Sequence, residues 1–156
     1  MRSSGTACRV LAAAVPVLAP YRVRASTDPQ EHAMTVTFDP VHYKNTTRTQ
    51  WEDAATAWHT WGPTLEDWLG EATTLMLDAA GITTGSSVLD VAAGAGGQSL
   101  AAARRVGPSG QVLATDISPA ILECAAAAAA AGLTNVRTRE LDGERLDVDP
   151  AAFDAV

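Results

Sequence analysis

A chain of 156 residues with 47% apolar and 19% charged residues holds at most one domain, and its composition is ordinary for a globular α/β protein. The net charge of −7 argues against nucleic acid as a partner; residues 1–27 carry four arginines (Arg2, Arg9, Arg22, Arg24) and no acid, which leaves −11 for the rest and no basic patch. Two cysteines, Cys8 and Cys124, and three scattered histidines, His32, His42 and His59, give neither a disulfide framework nor metal-ligand spacing, so a metal-free, cytoplasmic protein is expected.

The first segment has arginines on both sides of an apolar run from Val10 to Ala19, as targeting segments do. Pro16 and Pro20 interrupt that run, it is too short to span a bilayer, and Met34 offers a second start. Residues 1–33 therefore read as a disordered extension, with a targeting segment as the alternative. Residues 34–81 read as helical. Thr49 and Glu52 form a capping-box pattern, and Trp51, Ala54, Trp58 and Trp61 follow at intervals of three, four and three. Gly62 and Pro63 are expected to end this helix. A second helix is predicted from Thr64, with Asp67 three residues on, burying Leu65, Trp68, Leu69, Ala72, Leu75, Met76 and Ala79 before a stop at Gly81. All four tryptophans lie within this region, where packing of the two helices on each other accounts for them.

Residues 82–156 alternate strand and helix patterns. Val88 to Val91 is a strand that runs into Ala92, Ala93, Gly94, Ala95, Gly96 and Gly97, after which a helix, Gln98 to Val106, begins. Glycines at such a turn let the backbone approach a ligand, and the next helix offers unpaired N–H groups. Asp90, four residues before Gly94, places a negative charge where a pyrophosphate would sit. That charge suits a ligand with an ammonium and a sulfonium, such as S-adenosylmethionine, better than a dinucleotide, whose strict pattern also wants glycine at the position of Ser99. Gln111 to Thr115 is a second strand. Asp116 at its carboxyl end has the spacing of an acid that accepts hydrogen bonds from ribose hydroxyls. Ser118 and Pro119 open a helix that runs through the alanines 125 to 131 to Gly132, with Cys124 as a small buried apolar residue within it. A third strand, Val136 to Arg139, precedes Asp142 and Gly143, which on spacing alone are a turn.

VLDVAAGAGG, LATDIS, ELDGERL and FDAV, in that order, resemble the successive motifs of class I S-adenosylmethionine-dependent methyltransferases, most nearly the ubiquinone/menaquinone C-methyltransferase-like group, over residues 43–156. The family often has Thr where Ala95 stands, and Gly or Cys near Ala92 and Ala93. The resemblance implies an α/β fold with a Rossmann-like doubly wound sheet, preceded by N-terminal helices. Because FDAV corresponds to the opening of the fourth of about seven strands, it implies the N-terminal, cofactor-binding half only, with aggregation or partial folding of that half expected.

It also implies S-adenosyl-L-methionine as cofactor and a small-molecule methyl acceptor. Cofactor contacts then fall at Asp90, Ala92, Gly94, Ala95, Gly96, Asp116, Ile117, Asp142 and Gly143, with Ile117 against the adenine, Asp142 accepting from its amino group and the Gly143 N–H meeting a ring nitrogen. Under the same resemblance Tyr43, Trp58 and Trp61 belong to a lid facing an apolar or aromatic acceptor. No residue stands out as a general base; His42 and His59 are candidates by chemistry alone. An NAD(P)-type oxidoreductase and a non-catalytic remnant are the alternatives.

Overall fold

The computed structural model describes residues 37–130, 132–149 and 151–156. The expectations for residues 1–33, with Cys8 and His32, lie outside the described residues. In chain order the elements are α1 (Pro40–Ala79), β1 (Ser87–Val91), α2 (Gly97–Val106), β2 (Gln111–Asp116), α3 (Pro119–Ala130) and β3 (Val136–Glu140). Within the Rossmann-like part these agree with the sequence reading to within a residue or two.

The strands form one parallel sheet in the order β1-β2-β3, with Ser87 opposite Gln111 and Val112 opposite Val136. β1 and β2 each feed a helix that packs back on the sheet, and the alternation of apolar strand and small-residue helix makes this possible. Val106 of α2 and Ala114 of β2 are fully buried, and Leu77, Ile82, Val88, Ala102, Ala103 and Val112 complete the core with Ala155. The Asn135 side-chain amide donates to the carbonyls of Ala103 and Gly107 at 2.9 Å each, tying the end of α2 to the start of β3. On the far side of β1, Ala155 forms a parallel bridge with Val88, the Leu89 N–H donates to the Ala155 carbonyl at 3.0 Å, and the Ser87 N–H donates to the Asp154 carboxylate at 2.8 Å. The segment FDAV thus takes the place of a strand beside β1, as a Rossmann-like winding that reverses after β3 requires.

The N-terminal region departs from the expectation. One continuous helix replaces the two that were predicted, and Thr49 and Thr64 lie inside it rather than at caps. Asp39 is the N-cap: its carboxylate accepts from the N–H groups of Val41 and His42 at 2.9 and 3.0 Å, and Pro40 occupies the first helical position, where a missing N–H is harmless. Pro63 is accommodated because its fixed φ is already helical; what it removes is one N–H bond, at an exposed site. The far end is as expected. Gly81 has φ +69°, the Ile82 N–H reaches back to the Leu77 carbonyl at 3.1 Å and the Gly81 N–H to Asp78 at 3.0 Å, a Schellman closure whose two apolar partners, Leu77 and Ile82, are both buried.

The second correction concerns which face of α1 is covered. Trp68, Leu69, Ala72, Leu75, Met76 and Ala79, predicted to be core, are exposed, and Trp51, Trp58 and Trp61 are exposed as well. Nor do the tryptophans pack two helices together; Trp51 and Trp58 lean on each other along one helix at 5.9 Å between ring centroids. The face that docks carries Ala55 and Leu77, and pairs Arg48 with Glu140, Glu66 with Arg104 and Asp78 with Arg105. Periodicity reveals an apolar stripe, but α3 offers small side chains such as Ala120, Cys124 and Ala127 and α2 offers Arg104 and Arg105, and this surface selects the other side of the helix. Among the described residues no helix is long and apolar enough to cross a membrane.

Candidate functional site at the carboxyl edge of the sheet

β1 delivers Asp90 and Val91 to the edge where the turn begins. Ala92, Gly94 and Gly96 have φ of 61°, 56° and 89°, so the chain doubles back within five residues, and Ala92 holds a left-handed conformation that a residue with a Cβ rarely adopts. Gly96 is fixed by packing as well as by its φ: an added Cβ would lie 2.8 Å from the Ala125 Cβ of α3. Gly94 has open space around it, the nearest atom being 4.0 Å away on Ile121, and a Cβ on Gly97 would meet nothing within 4 Å. The outer surface of the turn is therefore bare backbone, unobstructed for a ligand. The Ala93 N–H donates to the Thr115 carbonyl at 2.8 Å, which locks the turn to the end of β2.

The Asp90 carboxylate accepts a hydrogen bond from the Ser99 hydroxyl at 2.6 Å. Burial pushes its pKa above the usual carboxylate value; the Ser99 hydrogen bond opposes this, and the like charge of Asp116 adds to it. Among the described residues no lysine, arginine or histidine pairs with Asp90. Asp116 is nearly buried, and backbone groups hold both of its oxygens: one accepts from the Gly94 N–H and the other from the Ser118 N–H, each at 3.0 Å. Two oxygens offer about four lone-pair sites, so half of its accepting capacity remains for hydroxyl donors. Ser118, fully buried, caps α3 through Ile121, and Ile117 sits half-buried between these two anchored residues.

The loop after β3 closes the third side. The Leu141 N–H donates to the Asp116 carbonyl at 2.9 Å, and an added Cβ on Gly143 would come 3.3 Å from Val91, so Asp142 and Gly143 are drawn over the end of β1. Asp142 accepts from the Glu144 N–H at 2.9 Å and from the Lys44 ammonium of α1 at 2.7 Å. The Lys44 contact holds the Asp142 carboxyl below the usual range, with help from the Glu144 N–H; Asp142 and then Glu144 raise Lys44 in turn. An open groove of about 640 Å³ runs beside Asp142, lined by Arg145, Leu146 and Asp147.

The structure thus gathers Asp90, Ala92, Gly94, Ala95, Gly96, Asp116, Ile117, Asp142 and Gly143 at the carboxyl ends of the three strands and on the loops that follow them. It leaves His42 exposed in the first turn of α1 and His59 in a separate groove of about 350 Å³ between α1 and α3. Cys124, half-buried rather than buried, lines that groove, with its sulfur toward the Ala55 and Ala120 carbonyls. Tyr43 is exposed and packs on Phe38. Sequence reasoning missed two participants. Ser99 is legible in hindsight as a hydroxyl in the first turn of α2, nine positions after Asp90. Lys44 carries no such signal, because 98 positions separate it from Asp142.

Residues 88–156 match the methyltransferase-domain family profile. Uncharacterized proteins of Mycobacterium bovis and Mycobacterium tuberculosis are 37% identical to this chain over 91 residues, which is 58% of the chain and 32% of each relative. The chain therefore spans about a third of the length of the curated relatives it matches. The crystal structure of a Methanococcus maripaludis protein, described as a putative S-adenosyl-L-methionine-dependent methyltransferase, aligns with a TM-score of 0.54 over 63% of this chain and 45% of that one at 21% identity, a shared fold.

Proposed function

We propose that this chain, whose residues 88–156 match a methyltransferase-domain profile, is the cofactor-holding part of a class I, S-adenosyl-L-methionine-dependent enzyme that methylates a small molecule. S-adenosyl-L-methionine is the cofactor of this domain. The observation that carries the reading is Asp90, a largely buried carboxylate at the glycine turn with a hydroxyl and, among the described residues, no cation beside it. Such a site repels a pyrophosphate and favours a positively charged ligand.

When bound, the cofactor supplies a methyl group made electrophilic by its sulfonium. The chain's own residues bind and orient. Asp90 supplies negative charge toward the amino-acid end, while Ala92, Gly94, Ala95 and Gly96 present bare backbone. Asp116, held by Gly94 and Ser118, keeps lone pairs for the ribose hydroxyls, and Ile117 gives an apolar wall. Asp142 and Gly143 face the base, with Lys44 already seated on one Asp142 oxygen. Residues 34–81 act as the cover of this site and residues 82–156 as its core. The motif set favours the ubiquinone/menaquinone C-methyltransferase-like group, acting in the cytoplasm, and transfer itself rests on alignment rather than on a general base within this chain.

Thermal unfolding with S-adenosylmethionine, S-adenosylhomocysteine and NAD tests the reading. Stabilisation by the first two and none by NAD is expected, and Asp116→Asn, which withdraws one accepting oxygen, should weaken both by about tenfold or more. Stabilisation by NAD alone, or full cofactor affinity in the Asp116 variant, would overturn it.

A further inference from the structure

The exposed stripe of α1 has a period of its own. Trp51, Ala54, Trp58, Trp61, Leu65 and Trp68 succeed one another at alternating steps of three and four, and the alternation continues to Ala79. That 3.5-residue repeat, held for four heptads, is the seam of helices that pair side by side, whereas a helix lying on a globular domain follows 3.6. The seam is not the docked face: Trp61 and Trp68 stand about 140–160° around the helix from Glu66, which pairs with α2. It is also bare, with Trp61, Trp68 and Leu75 at 61%, 78% and 62% exposure.

We propose that this seam is the interface of a homodimer in which two α1 helices pair antiparallel about a two-fold axis. The choice of a second copy rests on how bulk is distributed. The four tryptophans lie in the first part of the seam, and Ala72, Leu75 and Ala79 in the last part. An antiparallel copy sets the bulky end of one helix against the slim end of the other, Trp58 against Leu75 and Trp61 against Ala72, at near-constant thickness; a parallel copy stacks tryptophan on tryptophan at one end and leaves the other end hollow. In that register the flanking acids Glu71 and Asp78 face the uncharged Thr64 and Ala57, so no like charges meet. Pro63 lies on the outer side, where its missing hydrogen bond is not enclosed. The exposed tryptophan surface amounts to roughly 500 Å² per helix, and Leu69, Leu75 and Met76 bring it toward the ~800 Å² per partner of a standard interface.

Sedimentation velocity on the full chain at tens of micromolar tests this. A species of twice 16.2 kDa is expected. Trp61→Glu and Trp68→Glu, both at exposed sites, should each weaken association at least a hundredfold with unchanged helical circular dichroism, while Thr60→Glu, exposed but off the seam, should leave the dimer intact. A monomeric wild-type chain, or a dimer that survives both tryptophan substitutions, would overturn the proposal. Ready disulfide formation between the two copies of an Ala54→Cys variant would overturn the antiparallel arrangement.

Discussion

At the carboxyl edge of the sheet the site is tied together by backbone groups a short distance apart: the Gly94 and Ser118 N–H groups hold the Asp116 carboxylate, and the Ala93 and Leu141 N–H groups donate to the Thr115 and Asp116 carbonyls. The N-terminal helix is attached differently. Apart from Ala55 and the end near Leu77, α1 is held by charged side chains reaching across open surface, Lys44 to Asp142, Arg48 to Glu140 and Glu66 to Arg104, all partly or well exposed. Exposed pairs contribute little and are screened by salt, whereas the bonds at the turn are enclosed and cooperative with the sheet. The site is thus rigid on the sheet side and loosely fastened on the helix side, so opening of α1 should require far less free energy than opening of the turn.

Breaking the rigid side has the largest expected effect. Gly96→Val forces a side chain into a positive-φ position with Ala125 2.8 Å from its Cβ, and should destabilise the domain by roughly 3–5 kcal/mol, read as loss of a cooperative thermal transition.

Asp90→Asn sharpens the comparison, because it separates stability from binding. The folded state holds the Asp90 proton more tightly than the unfolded chain does, so stability falls as pH rises from the ordinary value of 3.8 through the raised folded value, and the deficit persists at neutral pH. Removing the charge should therefore raise the Tm at pH 7 and flatten that part of the pH profile, while S-adenosylmethionine affinity drops by about tenfold or more. A lower Tm with unchanged affinity would reverse the assignment of Asp90.

The smallest effect belongs to the loose side. Lys44→Gln should leave the Tm nearly unchanged but speed hydrogen exchange in the first turns of α1, and added salt should reproduce the change in the wild-type chain. The depressed Asp142 carboxyl contributes stability above the unfolded value of 3.8 that is lost as pH falls through its lower folded value, and this acid-side dependence should shrink in the Lys44 variant, where the Glu144 N–H alone still holds the carboxylate.

Most of the site was readable from the chain because its residues belong to local patterns. The strand before the turn, the glycines, Asp116 at a strand end and the Ser118–Pro119 cap each follow from a few neighbouring residues, and a parallel sheet then brings the strand ends together. Lys44 and the second role of Asp142 were not readable, since a contact spanning 98 positions leaves no local trace. The single helix was half readable. Asp39–Pro40 is a start signal that competes with the capping-box pattern of Thr49, and Gly62–Pro63 has the local pattern of a stop, yet the helix absorbs the proline at an exposed position.

By itself, then, the sequence determined the order of strands and helices, the sharpness of the glycine turn and the positions of its acids, because each is set by interactions within one turn or one strand. Only the tertiary structure decided which face of α1 meets the domain and which stays bare. A periodic stripe fixes the direction in which apolar side chains point along a helix. What they point at depends on the shape and charge of α2 and α3, which Ala55, Glu66 and Leu77 fit and the tryptophans do not.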